Sequence, residues 1–139
     1  MKKIVLLLLC CALPAWPCEG LTARDAWIRE APPGADVLGG YVSFSNAGAS
    51  EQSICHAQSA AFGSVEFHQM SMDHGQMQMR ELDRLTVPAH GSLALAPGGT
   101  HLMLMQPKAP LKAGQKVSID FYCDGKEHLT VEFQVKSSS

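Results

Sequence analysis

Charged side chains are scarce in this 139-residue chain: Asp, Glu, Lys and Arg make up 17% of it, against about 25% in a typical soluble domain. The formal net charge is −2, so the chain lacks the basic excess that is typical of nucleic-acid-binding proteins. Hydrophobic residues reach 46%, which is too many for an intrinsically disordered chain. These figures predict one folded domain of ordinary size that does not bind nucleic acid.

Long hydrophobic runs are absent beyond the N-terminus. There, two lysines precede an apolar run of about ten residues, Ile4–Leu13, which is too short for a permanent membrane anchor and is typical of a secretory signal peptide. We predict that residues 1–20 form this signal peptide, with cleavage before Leu21, and Leu13-Pro14-Ala15 offers an earlier alternative site. The mature protein is therefore expected in the periplasm.

Few cysteines remain after such cleavage. Of the five in the chain, only Cys55 and Cys123 would be left, because the predicted cleavage removes Cys10, Cys11 and Cys18. An isolated pair in an oxidising compartment tends to form a disulfide, and two free thiols are the alternative. A lipidated cysteine is normally preceded by small residues. Trp16-Pro17 precedes Cys18 instead, so we do not expect a lipoprotein.

Helical periodicity is also missing. Short runs with period-two alternation are separated by Gly, Pro, Asn and Ser, which indicates antiparallel strands. The pattern predicts an all-β, two-layer Greek-key β-sandwich over residues 21–136, as a single domain, with a disordered tail at residues 137–139. The predicted strands are Thr22–Ile28, Gly40–Ser45, Glu51–Gln58, Ser64–Gln69, Arg84–Val87, Ser92–Leu95, His101–Gln106, Gln115–Tyr122 and Leu129–Val135.

Methionine and histidine are concentrated in one third of the chain. Apart from Met1, every methionine falls between Met70 and Met105, and four of the six histidines lie in the same third of the chain, between His68 and His101. In the predicted strand that starts at His101, alternation places His101, Met103 and Met105 on one face. Residues two apart on a strand lie roughly 6.5–7 Å apart, so one metal ion can lie between an imidazole nitrogen and a thioether sulfur.

A second run supplies similar groups. It extends from His68 to Met79 and reads as a strand that ends in a loop rich in thioether and imidazole. Neutral imidazole and thioether ligands suit Cu(I), whereas zinc, magnesium and calcium prefer thiolate, imidazole or oxygen donors. The two runs together predict a soft-metal site, and silver is expected to mimic copper there.

The spacing His68-x10-Met79-x21-His101-x-Met103 resembles the H-x10-M-x21-H-x-M signature of the PCuAC-type periplasmic copper chaperones. Nearly all of the predicted mature chain shares the likeness. Other similar segments are Asp25–Arg29, Gly40-Tyr41 with Asn46, Glu66–His68, Val87–Ala89, Leu95–Leu104 and Pro110–Gly114.

This resemblance implies a cupredoxin-like β-sandwich that binds one Cu(I) per chain through His68, Met79, His101 and Met103. It also implies delivery of copper to a partner, either a copper-accepting periplasmic protein or a cytochrome c oxidase subunit whose copper centre is being assembled. The remaining soft residues are expected to be auxiliary or entry ligands: Met70, Met72, His74, Met77 and Met105. We expect a monomer.

Three other functions are compatible with parts of the sequence. A periplasmic copper storage or resistance protein would need the same site, and its stoichiometry would distinguish it from a chaperone. An electron-transfer cupredoxin needs a Cys thiolate and an axial Met, but no methionine follows Met105. An adhesion sandwich without metal would use the methionines as a binding patch. An enzyme is not expected, because no Cys-His or Ser-His-Asp arrangement is evident.

Overall fold

The computed structural model describes residues 18–123 and 128–138 and shows ten strands. No helix occurs among these residues, as the sequence predicted. The strands are β1 (Leu21–Arg29), β2 (Val37–Asn46), β3 (Gln52–Gln58), β4 (Phe62–Asp73), β5 (Gln76–Leu82), β6 (Leu85–Val87), β7 (Ser92–Ala94), β8 (Thr100–Pro107), β9 (Lys116–Cys123) and β10 (His128–Lys136).

The strands form one hydrogen-bonded path in the order β5-β4-β8-β2-β1-β10-β9-β3-β6, with β7 paired to β2. β1 and β10 are parallel, and the other pairs are antiparallel. The path folds back on itself, because the rings of Phe44 on β2 and Phe121 on β9 lie 5.1 Å apart although β1 and β10 separate their strands. The predicted β-sandwich is thus confirmed.

Alternating side chains fill the space between the two layers. Ile119, Phe121 and Phe133 are fully buried on β9 and β10, and the residues between them face outward, as the period-two pattern predicted. On β8, Leu102 and Leu104 are also fully buried. This burial fixes the opposite face of β8 toward the outside of the sandwich.

The predicted loop after His68 is wrong. β4 continues to Asp73, turns through His74 and Gly75, and returns as β5, so that Met79 lies on a regular strand. His74 and Gly75 both have positive φ, 49° and 78°, which suits the tight turn between the strands. The segment is therefore a β-hairpin that extends the β4 ladder.

The structure shows neither alternative for Cys55 and Cys123, a mutual disulfide or two free thiols. Cys18 and Cys123 form the disulfide, with Cα atoms 5.6 Å apart, and Cys55 is free and exposed. The cause is a bulge in β3, where Ile54 pairs with Cys123 and His56 with Tyr122, so Cys55 is the extra residue. Ile54 occupies the core position opposite Cys123, and the Cys55 side chain points outward.

Residues next to the predicted cleavage site are part of the fold. Cys18 is buried, and its carbonyl accepts a hydrogen bond from the backbone N–H of Leu21 at 2.8 Å. Residues 1–17, which carry most of the predicted signal peptide, lie outside the described residues, and so does residue 139 of the predicted tail. The signal peptide and the disordered tail stay predictions.

Candidate metal centre

Three neighbouring strands build the candidate site. β8 lies between β4 and β2, and Met103 pairs with Glu66 on β4 and with Gly39 on β2. Because Leu102 and Leu104 are turned into the core, His101 and Met103 lie on the outer face, which confirms the predicted orientation of β8.

Two of the predicted site residues face each other directly. His68 on β4 pairs with His101 on β8, and their ring centroids are 6.1 Å apart with planes tilted by 30°. With a metal–nitrogen bond of about 2 Å, one ion between two imidazoles places the ring centres roughly 5–6 Å apart. His101 is 7% exposed and the His68 side chain 15%, so both rings are largely shielded from water.

Hydrogen bonds hold the imidazole rings of His101 and His68, and each ring keeps one nitrogen that can bind a metal ion. Nδ1 of His101 lies 3.0 Å from the carbonyl oxygen of Gly99, which can only accept, so this nitrogen carries the proton and Nε2 keeps its lone pair. The same carbonyl accepts the backbone N–H of Met70 at 3.2 Å. The turn before β8 therefore positions both His101 and the base of the hairpin.

His68 is held by a carboxylate. Its Nε2 lies 2.8 Å from Oε2 of Glu66, two residues earlier on the same face of β4. In the neutral ring this nitrogen donates to the carboxylate, and Nδ1 keeps its lone pair. Nδ1 is buried and has no hydrogen-bond partner among the described residues. A buried acceptor without a partner is rare in folded proteins, and it fits a ligand atom that faces a metal ion.

The two predicted methionine ligands flank this pair in opposite directions. On β8, Met103 lies two residues after His101 and opposite Glu66. On the hairpin, Met79 lies opposite Met70, which is two residues from His68 in the direction away from Glu66. Because residues two apart share a face, all four predicted site residues lie on one side of the sheet. Met103 is half-buried, whereas Met79 is 49% exposed. The structure thus places all four on one face of the sheet, and Met79 is the most exposed of them.

The other soft residues are distributed unequally. Met70, Met72 and Met77 share the face of Met79 on the hairpin, and Met105 is at the far end of β8. His74 stands at the hairpin tip with its side chain 96% exposed. The remaining histidines lie elsewhere: His56 and His128 stack on Tyr122, and His90 lies in a turn.

Two further residues neighbour the site. Glu66 holds His68 through its hydrogen bond to Nε2. Gly39 lies beside Met103, and a Cβ atom there would stand 2.8 Å from the hydroxyl of Tyr41. Tyr41 in turn stacks on Trp27 at 4.6 Å. The dipeptide Gly39-Gly40 inside a strand was the available signal, because glycine in a strand often marks a close approach.

The donor set is soft. In the part of the chain that the structure describes, no group of three or more His, Cys, Asp or Glu residues is placed to hold a metal ion. The four predicted site residues supply two imidazoles and two thioethers, and thioether sulfur selects Cu(I). Over the same residues, no helix is long and apolar enough to cross a membrane.

A family model described as "LpqE-like: Putative lipoprotein LpqE-like" matches residues 21–135. Among curated proteins, "Putative lipoprotein Lxx21020" of Leifsonia xyli is 36% identical over 114 residues, which are 81% of this chain and 68% of that protein. The match thus spans almost all of the sandwich.

Two solved structures illustrate the structural likeness. The copper-bound PCuAC domain from PmoF2 has a TM-score of 0.73 at 19% identity, over 88% of this chain and 97% of the other. The solution structure of CuI-DR1885 from Deinococcus radiodurans has a TM-score of 0.65 at 28% identity, over 93% of this chain and 83% of the other. These likenesses confirm the cupredoxin-like fold.

Proposed function

The chain belongs to the LpqE-like family, and from that premise we propose that it is a periplasmic copper-binding metallochaperone. It binds one Cu(I) through His68, Met79, His101 and Met103. The observation that carries the proposal is the facing histidine pair, in which the buried Nδ1 of His68 has no partner among the described residues. The similar DR1885 protein has been solved in a Cu(I) form, which supports the choice of metal.

The cargo is held by neutral ligands. Two imidazoles and two thioethers leave the charge of the Cu(I) ion unchanged at the site, and no thiolate takes part that would trap the metal. The Glu66 carboxylate orients the His68 ring by accepting a hydrogen bond from Nε2. This arrangement favours retention of a soft monovalent ion and disfavours divalent ions that prefer oxygen donors.

Release follows from the unequal exposure of the ligands. His101 is buried, but Met79 is 49% exposed on the hairpin. A partner thioether or imidazole can replace Met79 first, and the ion then passes over by stepwise ligand exchange without a change of oxidation state. From the PCuAC resemblance we infer that the recipient is a copper-accepting periplasmic protein or a cytochrome c oxidase subunit, and that the chaperone acts as a monomer. No catalytic role is proposed.

Copper storage is a second candidate, because one observation favours it. Met72 and Met77 are exposed on the same face as the four-residue site, and additional thioethers raise the capacity for copper above one ion per chain. A storage protein would hold several ions of similar affinity and would transfer them slowly. A chaperone would hold one tight ion and exchange it readily.

An anaerobic competition titration with Cu(I) and a coloured chelator tests the proposal. Met103→Leu removes a proposed ligand at similar size, and Met105→Leu, two residues away on the same face, is the matched control. We expect one tight equivalent in the wild type and in Met105→Leu, and its loss or marked weakening in Met103→Leu. Equal titrations of the two variants would contradict the assigned site, and several equal equivalents in the wild type would favour storage.

A further inference from the structure

The hairpin of β4 and β5 carries four methionines in two directly opposed pairs. Met70 pairs with Met79, and Met72 pairs with Met77 nearer the tip. Since residues two apart share a face of a strand, all four side chains lie on the face that also carries His68. The opposite face of the hairpin is polar, with Ser71 paired to Gln78 and Gln69 to Arg80.

These methionines do not pack the interior. No methionine of residues 18–123 and 128–138 belongs to the hydrophobic core cluster. Met72 is 69% exposed, Met77 53% and Met79 49%, and they are the exposed large hydrophobic residues of the described chain. A contiguous patch of exposed apolar side chains often marks an interaction or ligand-binding site. Core filling, the ordinary role of methionine, therefore does not explain the pattern.

The outer pair has the geometry of a two-sulfur site. Directly opposed residues of antiparallel strands have Cβ atoms about 4.5–5.5 Å apart, and methionine has three rotatable bonds with which to aim its sulfur. Both thioethers of Met72 and Met77 can therefore reach one ion. At the hairpin tip, Oδ1 of Asp73 lies 3.4 Å from Nε2 of His74.

The pairs also follow one another along the strands, and each pair is called a level. From the tip inward, the face presents Met72 with Met77, then Met70 with Met79, then His68 with His101. Successive levels on a strand are roughly 6.5–7 Å apart, which is short enough for flexible thioethers of adjacent levels to share an ion during transfer. Met79 belongs both to this series and to the proposed four-residue site.

We propose that Met72 and Met77 form a second, weaker Cu(I) site, an entry and exit port that exchanges copper with the histidine site through Met70 and Met79. The inference rests on the proposed copper-binding function. In each step one copper–ligand bond forms as another breaks: a thioether replaces a thioether within the hairpin, and an imidazole replaces a thioether on entry to the histidine site. The ion remains Cu(I), and no proton or electron is transferred. The port accounts for the exposure of methionines that the four-residue site leaves unused.

The test uses the full mature protein with methionine methyl groups labelled with carbon-13. Silver(I) is titrated as a probe, and anaerobic Cu(I) competition is run in parallel. In the wild type, the methyl signals of Met79 and Met103 should shift with the first equivalent, and those of Met72 and Met77 with the second. The double variant Met72→Leu/Met77→Leu should keep the tight equivalent, lose the second and release copper to the chelator more slowly.

Met105→Leu is the control, because it removes an equally soft residue of the same face outside the hairpin. It should keep both equivalents and the wild-type release rate. The proposal is overturned if the second equivalent and the release rate survive in the double variant, or if the wild type binds only one ion. If the first equivalent fails to shift Met79 and Met103 while Met72 and Met77 still respond, the four-residue site is wrong and the outer site stands.

Discussion

Removing the disulfide between Cys18 and Cys123 should lower the free energy of unfolding by about 4.7 kcal/mol. The bond joins residues that are 105 positions apart, and the chain-entropy treatment of a loop of about 100 residues gives this value. Both cysteines are buried, at 1% and 3% exposure. The bond fastens the turn before β1 to the end of β9, so its loss frees that turn, while β1 stays paired with β2 and β10 and the metal face is not affected directly.

The assay is thermal and urea denaturation of Cys18→Ala/Cys123→Ala beside the wild type. At about 4 °C per kcal/mol for a domain of this size, the midpoint should fall by roughly 15–20 °C. Cys55→Ala is the control, because Cys55 is free and exposed and its replacement should change stability by no more than about 0.5 kcal/mol. If the double variant melts within a few degrees of this control, the reasoning is refuted.

The metal site, the core and the N-terminus each offer a further test. Glu66→Ala should weaken Cu(I) binding about 10–100-fold, because it removes the acceptor that orients His68; chelator competition measures the loss, and unchanged affinity would show that the contact is incidental. Leu104→Ala should lower the free energy of unfolding by about 2–5 kcal/mol in urea, because Leu104 is fully buried; a loss below that range would mean that the core collapses around the smaller residue. The disulfide to Cys123 requires an unlipidated Cys18, so the intact mass of the exported protein should correspond to cleavage at the earlier alternative site, Leu13-Pro14-Ala15, in place of the predicted cleavage before Leu21; a chain starting at Leu21 would contradict the disulfide.

The strands and their faces were accessible from the sequence because period-two alternation is a local property. Leu102 and Leu104 alternate with His101 and Met103, so the inward and outward faces of β8 could be predicted before any partner strand was known. β5 was missed for an equally local reason. Its residues are Gln, Met, Arg, Glu and Leu, which lack the β-branched and aromatic types that signal strands.

The disulfide could not be derived in the same way. Cys55 and Cys123 do lie on neighbouring strands, but a single bulge after Ile54 turns the Cys55 side chain outward. The apolar N-terminal run places Cys18 in the predicted signal peptide, which leaves the correct partner out of the mature chain. A bulge depends on the packing of the whole sheet, and no residue pattern around Cys55 predicts it.

For the candidate site, the sequence indicates candidate residues but not how they are arranged. The pairing of His68 with His101 depends on the register between β4 and β8, which distant parts of the chain determine. The hydrogen bond from His68 to Glu66 and the one from His101 to Gly99 likewise depend on rotamers. These contacts decide which ring nitrogens are available, and only the folded structure reveals them.

X-ray absorption at the copper edge, on protein loaded anaerobically with one equivalent of Cu(I), identifies the atoms that bind the ion. We expect a mixed shell of imidazole nitrogen and thioether sulfur, with outer-shell scattering from the rings of His68 and His101. Met79→Leu should remove part of the sulfur contribution and leave the imidazole signal. A shell of sulfur alone, or of oxygen and nitrogen without sulfur, would contradict the assignment of this site.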